Sequence, residues 1–199
     1  MSAPVITAGF ADPVIAAQAH FHALMNALAR PGTIHDFPAA LDAPAPLTPE
    51  LAATALTLVD HEVTLWLDAP LAASQAVVDY LRFHTGARIV ADPAEAAFAL
   101  VSDVAAMPAL VDFEQGTDEY PDRSTTIVVA AEAIAASGAL ELAGPGIRDR
   151  ARLGIAPWPT GLTAEIAANG AQFPRGVDLV FVAARKVAAL PRTTRVSEV

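Results

Sequence analysis

The chain predicts a single α/β domain spanning residues 1–199, with helices packed on a mixed β-sheet. Three observations carry this. Helical and strand patterns alternate from one end to the other, which places helices against a sheet. Several connections are too short to hold a right-handed crossover helix, so the sheet must mix parallel and antiparallel strands. With 199 residues, 54% of them hydrophobic and none of them cysteine, a core has to form by burial alone.

Asp12-Pro13 opens the first helix, with Asp suited to the N-cap and Pro to the first helical position. Val14, Ala17, Phe21, Leu24, Met25 and Leu28 follow at helical spacing and predict one apolar face. Arg30-Pro31-Gly32 stops the helix, and Thr33 to Phe37 reads as a short strand. Ala39 to Pro49 is a proline-rich surface connection, and Thr48-Pro49 starts a second helix that runs to about Val59. After the polar turn Asp60-His61-Glu62, Val63 to Leu67 has the bulk of a strand buried on both faces.

A helix is expected from Ala72 to about Phe83, then strands at Arg88–Ala91 and Ala97–Val101, with Asp92-Pro93 capping a brief turn between them. Val104 to Phe113 reads as a short helix, and Glu114 to Arg123 as a polar, exposed stretch. Thr125 to Ala130 is rich in β-branched residues and predicts a strand. Leu140 to Ala143 predicts another, ending at Gly144-Pro145-Gly146. Thr163 to Asn169 is a helix closed by Gly170. Val177 to Ala183 is a strong strand that pairs as a hairpin with Lys186 to Leu190, and the tail Val196 to Val199 is expected to be loose.

Charge and composition narrow the function. Twelve basic against 22 acidic residues give a net charge of −10, which argues against nucleic-acid binding. No apolar run is long enough to span a membrane, and Met1 to Gly9 lacks the pattern of a signal peptide. The absence of cysteine fits a reducing cytoplasm and rules out thiolate chemistry.

No catalytic constellation stands out. Ser2, Ser74, Ser102, Ser124, Ser137 and Ser197 include no nucleophile elbow. His20, His22, His35, His61 and His84 lack metal-ligand spacing, so no metal is expected. Gly144-Pro145-Gly146, followed by Arg148, Arg150 and Arg152, reads as a strand-ending turn rather than a phosphate cradle, since its central proline removes a donor. The three arginines could line one side of an extended segment.

Five residues are the binding candidates. Arg82 and His84 close a helix, where cations suit the helix dipole or, as a fork, an anion. Arg175, Asp178 and Arg192 bracket the last hairpin, where they either hold the corner as an ion pair or converge on a ligand.

Five segments in order resemble a known family. They are Gly9-Phe10-Ala11-Asp12-Pro13 with Gln18, Phe21 and Met25; Arg30-Pro31-Gly32; Leu81-Arg82-Phe83-His84-Thr85; Phe173-Pro174-Arg175-Gly176-Val177-Asp178-Leu179; and Pro191-Arg192-Thr193-Thr194. Together they span nearly the whole chain and resemble the H-subunit family of the carbon–phosphorus lyase system (PhnH). One position departs, with His22 following Phe21 where the family pattern has arginine.

The resemblance implies a three-layer sandwich, a mixed sheet flanked by helices, like the large domain of pyridoxal-phosphate-dependent transferases. It implies a cytoplasmic subunit that assembles with the G, I and J subunits and forms a homodimer when isolated. The complex would make α-D-ribose 1-methylphosphonate 5-triphosphate from ATP and methylphosphonate, with ATP or phosphonate at a shared site. The alternative is a stand-alone transferase using pyridoxal phosphate. That cofactor needs a Schiff-base lysine, and the sole lysine, Lys186, falls in a predicted hairpin turn, so no cofactor is expected. Arginines that converge in one cleft would favour an enzyme subunit, with His84 as a proton carrier. Arginines each paired with local carboxylates would favour a structural one.

Overall fold

The computed structural model describes residues 6–199; the reading of Met1 to Gly9 as no leader lies, for residues 1–5, outside them. A seven-stranded sheet runs through the centre. Its strands are β1 (His35–Asp36), β2 (Thr64–Leu67), β3 (Arg88–Val90), β4 (Phe98–Val101), β5 (Thr126–Ala130), β8 (Asp178–Ala183) and β9 (Lys186–Leu190). Their spatial order is β1-β9-β8-β5-β4-β2-β3. The run from β8 to β3 is parallel, and β9 and β1 add antiparallel pairs at one edge, so the sheet is mixed as expected.

Alternation along each strand fills both faces, as the pleat requires. Leu65, Leu67, Val128, Val180 and Val182 point one way, into a core shared with α1 (Pro13–Ala29), α2 (Pro49–Leu58), α3 (Ala69–Ala73) and α4 (Gln75–Thr85). Trp66, Ile127, Val129, Leu179 and Phe181 point the other way. That second face is covered by α5 (Leu162–Gly170) and by a three-stranded antiparallel sheet, β10-β6-β7, made of β6 (Ala133–Ala143), β7 (Ala151–Ala156) and β10 (Arg195–Glu198).

The helix starts obey local chemistry. Asp12 accepts the Ile15 N–H and Thr48 accepts the Leu51 N–H, each followed by proline in the first turn. The C-terminus of α4 ends on Gly86 in the left-handed region, φ 71°.

Several expectations need correction. The apolar stripe of α1 is rotated: His20, Leu24 and Ala27 are buried, while Val14, Phe21 and Met25 are exposed. Spacing alone did not distinguish two apolar faces on one helix. The single helix at Ala72–Phe83 is two, α3 and α4, broken at Ser74 because Asp68 caps a separate short helix. The helix at Val104–Phe113 is two 3-10 turns, Val104–Ala106 and Leu110–Asp112, because Pro108 between them lacks an N–H to continue the ladder.

The small sheet was largely missed. β6 begins well before Leu140, β7 was not foreseen, and the tail expected to be loose forms β10, with Val196 opposite Leu142. Arg152 lies on β7, whereas Arg148 and Arg150 precede it, and Arg150 pairs with Glu141, so the three do not form one line. Finally, Lys186 is the first residue of β9; the turn itself is Ala184 and Arg185, with φ 45° and 63°, the geometry of a two-residue hairpin loop.

Candidate functional site

The β8–β9 hairpin brings its two ends together, since Leu179 lies opposite Leu190. Asp178 opens β8 and Arg192 follows β9, so they meet at the corner. The approach to that corner is fixed by Asn169 at the end of α5. Its Oδ1 accepts the Val177 N–H at 2.8 Å, and its Nδ2 donates to the Val177 carbonyl at 2.9 Å. Gly176 sits beside it at φ 117°, where a Cβ would come within 2.8 Å of the Asn169 Oδ1.

A guanidinium has five N–H donors, and Arg192 places all of them inside the protein. Nε donates to Asp178 Oδ1 at 3.2 Å; Nη2 donates to Asp178 Oδ2 at 2.6 Å and to Ser124 Oγ at 2.6 Å. Nη1 donates to the carbonyls of Pro121 and Pro174, at 2.9 and 3.1 Å. Arg192 thereby pins the 121–124 segment and the loop before β8 to the corner. Arg175 does not join them. Its nearest acidic partner is Asp118, at 3.5 Å, in an exposed pair.

Arg82 and His84 sit elsewhere, in the last turn of α4, which leads into β3. β8 and β3 are four places apart in the sheet, on the order of 19 Å at about 4.8 Å per strand. The His84 Nε2 donates to the Thr7 carbonyl at 2.9 Å, and its ring packs against Tyr80 and Phe83. Gly9 is held against the same ring, where a Cβ would meet Nδ1 at 3.1 Å. His84 therefore pins the segment before α1 onto α4. Arg82 is exposed and makes no side-chain hydrogen bond or ion pair among the described residues. The five candidates thus fall in two places, and the arginine that sits deepest is fully engaged.

The crevice expected to bind ligands in an open α/β sheet lies beyond the carboxyl ends of the strands, where the strand order reverses. Here that is between β2 and β4, with β3 on one side and β5 on the other. Asp68 fills it. The residue is fully buried, and its carboxylate accepts N–H groups from Ser102 at 2.6 Å, Asp103 at 2.9 Å and Leu71 at 3.2 Å, plus the Ser102 hydroxyl at 2.9 Å. Sequence reasoning missed Asp68; the Asp-x-Pro of its N-cap was the available signal.

Histidine and lysine chemistry is similarly absorbed into the fold. His20 is buried between Phe10 and Phe37, with its ring nitrogens facing the carbonyls of Ala16 at 2.7 Å and Pro38 at 3.3 Å. No group of three His, Asp or Glu side chains among the described residues could hold a metal. Lys186 is half exposed and pairs with Asp36, whose carboxyl is held below the usual range by that hydrogen bond and the ammonium charge. A half-exposed lysine at the start of a strand, engaged by a carboxylate, does not fit a Schiff-base site. Burial, and then the Arg30 charge, lower His35.

A family model described as bacterial phosphonate metabolism protein (PhnH) matches residues 8–197. The chain is 44% identical over 195 residues to the α-D-ribose 1-methylphosphonate 5-triphosphate synthase subunit PhnH of Rhizobium meliloti (strain 1021), covering 96% of this chain and 95% of that protein. It is also 34% identical over 82 residues to a protein of Stutzerimonas stutzeri named as a putative C-P lyase subunit, HtxG, covering 41% of this chain and 42% of that one.

Proposed function

The chain belongs to the PhnH family of bacterial phosphonate-metabolism proteins, and from that premise we propose that it works as the H subunit of α-D-ribose 1-methylphosphonate 5-triphosphate synthase in the carbon–phosphorus lyase system. The observation that carries this is the 44% identity to a subunit of that name over 96% of the chain. The site geometry supports a subunit with little chemistry of its own. Arg192 is saturated by internal acceptors, Arg175 pairs with Asp118, and the two candidate groups do not share a cleft.

The partners in this reading are the G, I and J subunits, with a homodimer when the chain is alone. Support comes from α1. Its 17 residues include no Asp, Glu, Lys or Arg, and Val14, Ile15, Phe21 and Met25 are exposed on it. A helix face that exposes four large apolar side chains and no Asp, Glu, Lys or Arg, on a chain of net charge −10, suits a partner subunit better than solvent. The reading includes a cytoplasmic location. It also takes the seven-stranded sheet as a version of the pyridoxal-phosphate transferase large domain that works without the cofactor.

Co-expression of the tagged chain with the G, I and J subunits of the same genome tests the proposal. A stoichiometric complex on size exclusion supports it. Assembly of the other three with this chain left behind, as monomer or homodimer, overturns it. The stand-alone transferase reading would require a lysine-dependent absorbance band on incubation with pyridoxal phosphate; none is expected, in keeping with the pairing of Lys186.

A further inference from the structure

A cavity of about 700 Å³ lies between α5 and the segment that leads from Arg192 into β10. Its size is that of a small-molecule site. Small residues at the end of α5 and just past it create the space: Ala167, Gly170 and Ala171 line it, and a Cβ on Gly170 would come within 3.0 Å of the Arg192 carbonyl. Ile166 and the exposed ring of Phe173 supply apolar walls.

One charged side chain sets the ligand chemistry. Thr194 forms part of the wall, but its hydroxyl is closed to solvent, with no hydrogen-bond partner among the described residues, so a ligand in the cavity does not reach it. Arg195 also stands on the wall and makes no side-chain hydrogen bond or ion pair among the described residues. Arg192 touches the cavity too, but its charge is met by Asp178. Among the described residues no acidic side chain lines the cavity, although the chain has 22.

We propose that this cavity binds a small organic anion, with a ring-sized or larger apolar body against α5 and an anionic head held by Arg195. The site is separate from the α1 face and does not depend on the subunit assignment. A metabolite carboxylate and an organic phosphonate share this chemistry, and the probes distinguish them.

The test is methyl-resolved NMR of the full chain titrated with phenylphosphonate and, separately, benzoate, with inorganic phosphate and benzyl alcohol as controls. Saturable shifts at the methyls of Ile166, Thr194 and Val196 are expected with phenylphosphonate, benzoate or both, the stronger one naming the source. Each control should bind at least tenfold more weakly. Arg195→Gln should weaken the anion at least tenfold, and Ala167→Phe, which fills the space, should abolish the shifts. The wild-type titration stands even if a variant fails to fold. No saturable shift, shifts unaffected by Arg195→Gln in a folded variant, or shifts at these methyls produced only by adding partner subunits would each overturn the proposal.

Discussion

Arg192 and Asp178 are joined three times over: the carboxylate accepts the Arg192 backbone N–H at 2.7 Å, its Nε–H at 3.2 Å and its Nη2–H at 2.6 Å. Both side chains are mostly buried, so the pair is a charge-assisted fork closed to solvent. With Ser124 and two carbonyls filling the remaining donors, the corner ties three chain segments into one unit.

Arg192→Lys keeps the charge but cannot reach five acceptors. It should cost about 2–4 kcal/mol, since breaking a buried pair leaves unmet acceptors. Urea denaturation of the isolated chain measures this. A loss under about 0.5 kcal/mol would mean the corner tolerates an incomplete network and would reopen a ligand-binding role for this arginine.

Asp68 holds the ends of β2 and β4 together through three N–H groups and a hydroxyl. Asp68→Ala removes the acceptor and leaves those donors, the buried Leu71 N–H among them, without a partner, at roughly 3 kcal/mol. Thermal unfolding should show the drop, and Asp68→Asn should recover part of it, because one side-chain oxygen remains to accept.

Tyr80 has a buried phenol with no hydrogen-bond partner among the described residues. Tyr80→Phe should therefore be neutral or stabilising by up to about 1 kcal/mol at pH 7. Burial also raises the phenol above its ordinary value. The folded chain holds that proton more tightly than the unfolded chain, so the contribution is fully present below the ordinary phenol value. It fades as pH rises from there through the folded value. Above about pH 10, the ordinary phenol value, Tyr80→Phe should hold its stability better than the parent chain in urea melts. Equal alkaline losses in both proteins would contradict this.

Phe21 and Met25 are about half exposed on the uncharged face of α1. Phe21→Asp with Met25→Asp should change the stability of the isolated chain by no more than about 1 kcal/mol, as exposed positions do. The same pair should abolish or strongly reduce co-elution with the G, I and J subunits. Retention of a stoichiometric complex would move the interface to another face.

Much of the fold was legible because its signals are local. Asp12-Pro13 and Thr48-Pro49 begin helices through caps that depend on residues three apart, and β5 and β8 declare themselves by β-branched runs. The small sheet was not legible. β7 has glycine and alanine where alternation would show, and β10 is mostly polar, so each becomes a strand only by pairing with β6.

The candidate site divides in the same way. The sequence by itself determined the residue types at the last corner and the family pattern they belong to, because both are properties of order along the chain. Whether Arg192 is free to bind or already bound was decided only by tertiary structure. Its acceptors come from residues 14 to 71 positions away, and no spacing rule brings Pro121, Ser124, Pro174 and Asp178 around one guanidinium. The same holds for Asp68, whose partners Ser102 and Asp103 lie across a strand crossover, and for the α1 face. One stripe of that helix is buried by the sheet and the other is left open, a choice made by packing rather than by hydrophobicity.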